Sequence, residues 1–126
     1  MQLPTNQKGT TQKKYDLEER ALLFAKNVRI FIKKLPKNIQ NNEDAKQLVR
    51  SSGAVGANYI EGNESLGQKD FTMRLRISRK EAKESAFWLA LLDVGDAPSG
   101  EAERCRLKAE ARELMLILTA IIKKVS

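Results

Sequence analysis

Four segments of the chain carry apolar and small residues at alternating intervals of four and three. In the first segment these residues are Leu17, Ala21, Phe24, Val28, Phe31 and Leu35. Such spacing places every member on one face of an α-helix and is typical of helices that pack lengthwise along a seam. The same alternation recurs within residues 45–59 and 71–92. It recurs again in the last segment, at Leu107, Ala111, Leu114, Leu118, Ile121 and Val125. We therefore expect an all-α protein, an antiparallel up-down-up-down four-helix bundle.

Local signals predict where these helices begin and end. Asp16 and Glu19 have the spacing of a capping box at the start of the first helix. The second helix is predicted over residues 42–60, and the third runs to about residue 93. Ser99 is the expected N-cap of the fourth helix.

The length of 126 residues suits one domain with its own core. Residues 1–14 are polar and basic, and we expect a flexible tail there, followed by a single bundle domain over residues 15–126. Gly53 and Gly56 lie inside the second helix, where each glycine costs about 1 kcal/mol relative to alanine. Close approach of a neighbouring helix is the expected compensation at both positions.

The residue types that the chain lacks limit the reactions and metal sites that it could support. The chain has no histidine and a single cysteine, Cys105, which removes histidine general bases, internal disulfides and the common metal sites. We expect no enzyme activity, no cofactor and no metal. Catalysis by the Glu61 and Glu84 carboxylates is the weakest hypothesis, because no acid–base partner can be named. A polar N-terminus and short apolar runs predict a cytoplasmic protein without a membrane span.

The formal net charge of +7 permits an acidic partner such as nucleic acid. The clearest basic stripe lies on the third helix and comprises Lys69, Arg76, Lys80 and Lys83, with Arg74 and Arg79 beside it. Such a stripe can follow a phosphate backbone. On an isolated domain such a stripe is more often a solvated helix face supported by pairs such as Lys80 with Glu84, and repetition around an oligomer favours the phosphate-binding interpretation.

The third and fourth helices have more apolar residues than one seam needs. The surplus includes Phe87, Trp88, Leu91, Met115, Ile117 and Ile122. A thick core could bury them, but a patch of this size on a monomer surface is unusual. We expect these residues to form the interface of a homo-oligomer.

Several polar residues fall on or beside the predicted seams of the second and third helices. They are Arg50, Asn58, Glu61, Glu84 and Ser85. Because buried polar groups must be paired, we expect a structural polar network that fixes the register of these two helices.

One stretch of the chain resembles a known family. It consists of residues 50–62, RSSGAVGANYIEG, then Lys69-Asp70-Phe71, then residues 76–85, RISRKEAKES. These residues are similar to the four-helix bundle proteins encoded by intervening sequences in bacterial 23S ribosomal RNA genes, once labelled S23 ribosomal protein. The resemblance implies a small cytoplasmic bundle that assembles as a homopentamer. A related branch, the accessory variability proteins of diversity-generating retroelements, is associated with nucleic-acid binding and a reverse transcriptase.

We therefore expect a non-enzymatic, homo-oligomeric bundle that binds nucleic acid through phosphate contacts with the third helix. The partners would be further copies of the chain and RNA or DNA. The alternative is a protein-interaction adaptor, for example a reverse-transcriptase accessory, with no direct role in nucleic-acid binding.

Overall fold

The computed structural model describes residues 16–126, and within them the chain forms four α-helices. These are α1 (Leu17–Lys33), α2 (Ile39–Asn63), α3 (Gln68–Leu91) and α4 (Pro98–Val125). The tail predicted over residues 1–14 lies outside the described residues.

Each helix packs against two neighbours in the ring α1–α2–α3–α4. The α2–α3 interface is the most extensive and the α1–α4 interface is the loosest, while α1 and α3 lie diagonally across the bundle. Short connections between successive helices make the bundle antiparallel, as the seams predicted. None of the helices in residues 16–126 combines the length and apolar character that crossing a membrane requires.

The core consists of the residues that the seams predicted, with one local change in α4. The seam residues Leu107, Ala111, Leu114 and Leu118 are buried, but the next buried residue is Ile122, which is only 6% exposed. A straight α-helix has 3.6 residues per turn and drifts away from a seven-residue repeat. The drift brings Ile122 into the core and leaves the predicted Ile121 half-buried.

The sequence predicted only some of the residues that cap the N-termini of the helices. Asp16 and Glu19 form the predicted capping box, in which the Asp16 side chain accepts a hydrogen bond from the Glu19 backbone N–H at 2.8 Å. The predicted start of α2 was too late, because Asn38 caps the helix. The prediction for α4 was wrong by two residues: Ala97 is the N-cap and Pro98, whose missing N–H needs no partner there, begins the helix.

Only one of the two helical glycines is explained by close packing inside the chain. A Cβ on Gly56 would lie 3.2 Å from the Cβ of Ala21 in α1, so this glycine allows α1 and α2 to approach. A Cβ on Gly53 would have an ordinary contact of 3.5 Å with the Arg29 guanidinium. The expectation of a close helix approach is therefore wrong at Gly53.

Asn41 ties together the two loops at one end of the bundle. Its side-chain amide donates to the carbonyl oxygens of Pro36 and Asp93, both at 2.9 Å, and its Oδ1 accepts from the Asp93 N–H at 2.9 Å. The residue is 3% exposed. Three hydrogen bonds from one buried amide thus hold the α1–α2 loop against the α3–α4 loop.

The same end of the bundle carries an arginine that caps α3. Nη1 of Arg104 lies within 2.6–3.1 Å of the carbonyl oxygens of Leu89, Ala90 and Leu92, which have no partner further along the helix. Nη2 of Arg104 pairs with Glu101 at 3.0 Å. This hydrogen bond lowers the pKa of the exposed Glu101 carboxyl, so the pair persists at neutral pH and is lost as the pH falls through that pKa.

Candidate nucleic-acid interface

The stripe predicted on α3 forms an exposed basic row, consisting of Lys69, Arg76, Lys80 and Lys83. Within residues 16–126, none of these four side chains lies within 4.0 Å of a carboxylate. Unpaired cations in one line along a helix are available to bind an anionic partner. The i,i+4 pairing of Lys80 with Glu84 that would make the row an ordinary salt-bridged face is absent here, because Glu84 pairs with Arg50 instead.

Arg74 and Arg79 differ from the row because each turns toward a neighbouring helix. Nη1 of Arg74 donates to Oδ1 of Asn58 in α2 at 3.2 Å, and Nη1 of Arg79 donates to Oγ1 of Thr119 in α4 at 3.3 Å. Both partners are neutral, so the two arginines keep their full charge at the edges of the row. Their positions are fixed by hydrogen bonds, and they widen the cationic surface on either side.

Helix α4 contributes cations that the sequence analysis did not assign to the interface. The Arg79–Thr119 contact sets the antiparallel register of α3 and α4. In this register, exposed Arg112 and Lys123 lie on the outer face of the same helix pair. In the sequence, Arg112 and Lys123 are eleven residues apart, a spacing of three helical turns that places both on one face of α4. It could be connected with the α3 row only once the pairing of the two helices was known.

The predicted polar network exists between α2 and α3, but its centre is Glu81, which the prediction omitted. Arg50 donates to Oε2 of Glu81 at 3.3 Å and to Oε1 of Glu84 at 3.1 Å. The hydrogen bond with Glu81 raises the pKa of the Arg50 guanidinium, so the group stays charged. Oε1 of the buried Glu81 lies 3.2 Å from Nη2 of Arg50 without the geometry of a hydrogen bond.

The other members of the network are distributed unevenly. Ser85 shares a buried hydrogen bond of 2.8 Å with Ser51 and donates to the Glu81 carbonyl at 2.9 Å. Asn58 donates to the Ala54 carbonyl and accepts from Arg74. Glu61 is exposed and lies outside the network. The four that take part hold α2 and α3 in register.

The predicted oligomer interface is divided between surface and core. Phe87 and Leu91 are 58% and 51% exposed. Trp88 and Met115 are half-buried against the core, and Ile122 belongs to the core itself. Ile117 is half-buried on α4. Two exposed apolar residues of these helices were missing from the predicted set, Met73 at 47% and Leu116 at 57%.

Among residues 16–126 no three side chains of the metal-binding types lie together. A groove of about 500 Å³ between α1 and α4 has Phe24 at its floor and the Arg20–Glu110 pair at its side. This pair is bidentate, with distances of 2.7 and 3.0 Å, and its hydrogen bond raises the pKa of Arg20. The two charges neutralise each other, and a bidentate pair of this kind can hold α1 and α4 together.

These features define a small antiparallel four-helix bundle with an unpaired basic row on one helix and polar pairs at its helix interfaces. The chain belongs to the 23S rRNA-intervening sequence protein family, whose model matches residues 13–120. It is similar to a protein of unknown function of the S23 ribosomal protein family from Bacteroides thetaiotaomicron VPI-5482, with a TM-score of 0.72 and 26% identity. That similarity covers 85% of this chain and 98% of the other. No curated protein shows significant similarity to the chain.

Proposed function

We propose that this chain is a non-enzymatic, homo-oligomeric bundle that binds RNA through the basic row on α3. The observation that carries the proposal is the row itself: Lys69, Arg76, Lys80 and Lys83 are exposed, and none has a carboxylate within 4.0 Å in the part of the chain that the structure describes. Lysine and arginine contacts to phosphates release condensed counterions, which favours binding at low salt. Repetition of the row in an oligomer multiplies this effect.

The surface favours contacts to the phosphate backbone. No aromatic residue lies on the exposed part of α3 between Lys69 and Lys83, so the row has no platform on which bases could stack. The cations lie along a straight helix flanked by Arg112 and Lys123 of α4. Such a surface reads charge and shape and has low sequence specificity.

The proposal is tested with a triple variant, Lys69→Glu, Arg76→Glu and Lys80→Glu, titrated against a fluorescent RNA hairpin. Losing three phosphate contacts is expected to reduce the slope of log affinity against log salt by about three. The titrations run between about 50 and 200 mM salt, where the electrostatic contribution changes most steeply.

A matched control changes the same charge elsewhere. Lys33, Lys37 and Lys46 are exposed and lie on α1, in the α1–α2 loop and on α2, away from α3 and α4, so replacing all three with glutamate should leave most of the RNA affinity intact. Equal losses in both triple variants would show that net charge, and not this row, governs binding. Unchanged affinity in the first triple variant would refute the site.

The adaptor function is the second candidate, favoured by the exposed Phe87 and Leu91 at the end of α3. Aromatic and aliphatic side chains of this kind are typical anchors of protein interfaces. A wild-type chain that shows no RNA affinity even at low salt would overturn the RNA-binding proposal and favour an acidic protein as the partner of the basic row.

A further inference from the structure

The face of α3 that carries the basic row continues beyond the row into an aromatic residue. Arg76, Lys80, Lys83 and Phe87 follow one another at intervals of four, three and four, so the four side chains lie on the same side of the helix. Phe87 lies one turn beyond Lys83, about 6 Å further along the helix axis. It is 58% exposed, so the row ends on a ring that is open to solvent.

The Phe87 ring is restrained by the aromatic ring next to it. The centroids of Phe87 and Trp88 lie 5.1 Å apart with the ring planes at 76°, so the two rings meet edge to face and do not stack. Trp88 itself packs against the core. At least one face of the Phe87 ring therefore stays uncovered by Trp88, and a ring that is already held loses less entropy when a ligand binds it.

The charges on both sides of Phe87 suit an anionic ligand. Exposed Lys83 precedes Phe87 on α3 and has no carboxylate within 4.0 Å in residues 16–126. The acidic residue nearest to Phe87 along α3 is Glu84, which pairs with Arg50 of α2 at 3.1 Å. A phosphate that approaches the ring along the row therefore meets a free cation, while this carboxylate is already neutralised.

Helix α4 adds a second cation beside the ring. The hydrogen bond between Arg79 and Thr119 aligns α3 with α4. Seven residues from this contact, in opposite directions along the antiparallel helices, lie Ala86 on α3 and exposed Arg112 on α4. Arg112 therefore lies on the α4 side of Phe87, and the ring is placed between cations of two helices.

A phenyl ring at the end of a row of cations has the chemistry that binds a nucleobase. Every base has a π-face on which an aromatic side chain can stack, and proteins that bind single strands combine a basic track with such rings. Bases inside a duplex are stacked on one another, whereas unpaired bases can be splayed out onto an aromatic side chain. The ligand that uses both the row and the ring is an RNA in which an unpaired nucleotide adjoins the bound backbone.

The position of Phe87 also disfavours the interface between copies at which it was expected. Because Phe87 is in line with the row, a copy seated on it would cover Lys83 as well. The contact would take this cation out of water, which is costly without a partner charge. An RNA ligand brings that partner, since its phosphates neutralise the cations on either side of the ring.

We propose that Phe87 is the stacking platform for one unpaired RNA base and that Lys83 holds the phosphate beside that base. The inference rests on the proposed function and names its ligand class, an RNA in which a single-stranded segment adjoins a duplex. Stacking on a single ring accepts every base. The site therefore distinguishes unpaired from paired nucleotides and does not distinguish one sequence from another.

Three RNA probes separate stacking from phosphate contacts. The first probe is a short blunt duplex, and in the second one strand of this duplex is extended at both ends by single-stranded nucleotides. The third has the same extensions made of abasic nucleotides, which add equal numbers of phosphates without bases. Wild type is expected to bind the second probe at least about fivefold more tightly than the third, as is typical of one base stacked on an aromatic ring.

Three variants assign this preference to the ring. Phe87→Leu keeps an apolar side chain without a π-face, and it is expected to abolish the preference while leaving the affinity for the blunt duplex unchanged. Phe87→Trp keeps a stacking face and should retain the preference. Leu91→Ala is the matched control, because Leu91 is 51% exposed one turn further along α3 and has no ring. Far-UV circular dichroism checks that each variant remains helical.

The salt dependence gives an independent measurement of the same contact. Stacking releases no condensed counterions, whereas phosphate contacts do. The affinities for all three probes should therefore fall between about 50 and 200 mM salt, while the ratio of the affinities for the second and third probes stays constant. A ratio that falls in parallel with the affinities would show that the preference is electrostatic and would overturn the platform.

Equal wild-type affinity for the second and third probes would also overturn the proposal, as would a preference that survives Phe87→Leu. A lower mass of Phe87→Leu than of wild type in light scattering would assign the residue to a contact between copies, against the proposal.

Failure of the proposed function has a different signature. A wild-type chain that binds none of the three probes at low salt would refute RNA binding itself, and the platform with it. Binding of the blunt duplex without any preference for unpaired bases would refute the platform alone and leave the RNA-binding row in place.

Discussion

Removing the Asn41 side chain is expected to weaken the whole bundle, although the residue lies far from the basic row. Asn41→Ala deletes three hydrogen bonds of 2.9 Å between two loops. At about 1 kcal/mol of net stability for each bond, the loss is about 3 kcal/mol. With a urea m-value of about 1.5 kcal/mol per molar, the midpoint of unfolding falls by about 2 M.

The assay is equilibrium urea unfolding followed by far-UV circular dichroism, with the protein concentration held constant because assembly is linked to stability. Asn42→Ala provides the control: this neighbouring side chain is exposed and makes no side-chain hydrogen bond within the described residues. A shift for Asn41→Ala no larger than for Asn42→Ala would refute the role assigned to the loop contact.

An isosteric change adds a pH test of the same contact. Asn41→Asp keeps the acceptor for the Asp93 N–H but turns the second oxygen toward the carbonyl oxygens of Pro36 and Asp93. Burial beside acceptors raises the folded-state pKa of the introduced carboxyl. The part of the destabilisation that comes from ionisation is then complete above that pKa and is lost below about pH 4, where the carboxyl is protonated in both states. The loss of one of the two amide donors remains at every pH. A destabilisation independent of pH would contradict the geometry.

Two further substitutions test the turn between α3 and α4. A Cβ on Gly100 would lie 2.6 Å from the carbonyl oxygen of Val94, so Gly100→Ala should destabilise the bundle by about 1–3 kcal/mol. Gly67→Ala in the α2–α3 loop is the control: nothing lies within 4 Å of the added Cβ, so the only expected cost is about 0.5 kcal/mol, because Gly67 is the N-cap of α3 and alanine is a poorer N-cap. Arg104→Met keeps an apolar stem but uncaps three carbonyls of α3, with an expected loss of about 2 kcal/mol. Urea midpoints equal to those of the wild type at Gly100 or Arg104 would contradict these contacts.

The sequence predicted the helices and their seams because burial follows a period that is visible in the residues themselves. The sequence did not predict the role of residues whose burial or pairing depends on a partner distant in the chain. Asn41 was overlooked because its partners include Asp93, 52 residues away. Glu81 was left out of the predicted network, and only the pairing of α2 with α3 shows that Arg50 covers it.

The candidate site was likewise predicted only in part. The α3 row followed from spacing along one helix, and the structure leaves it exposed and unpaired. The contribution of Arg112 depends on the register of α4 against α3, which no single segment encodes. Ile122 was predicted to lie at an interface because a heptad repeat leaves it off the seam, whereas the 3.6-residue turn of a straight helix buries it.

The α1–α4 interface, the loosest in the bundle, is bridged by ion pairs. Where α1 meets α4, the ion pairs Arg20–Glu110 and Lys34–Glu103 bridge a groove that interlocking side chains do not fill. Ion pairs of this kind weaken as ionic strength rises. The partly exposed Arg50–Glu84 pair between α2 and α3 weakens as well, but those two helices are also held by the most extensive packing in the bundle. High salt should therefore loosen the α1–α4 interface first, while the other helices keep their alignment.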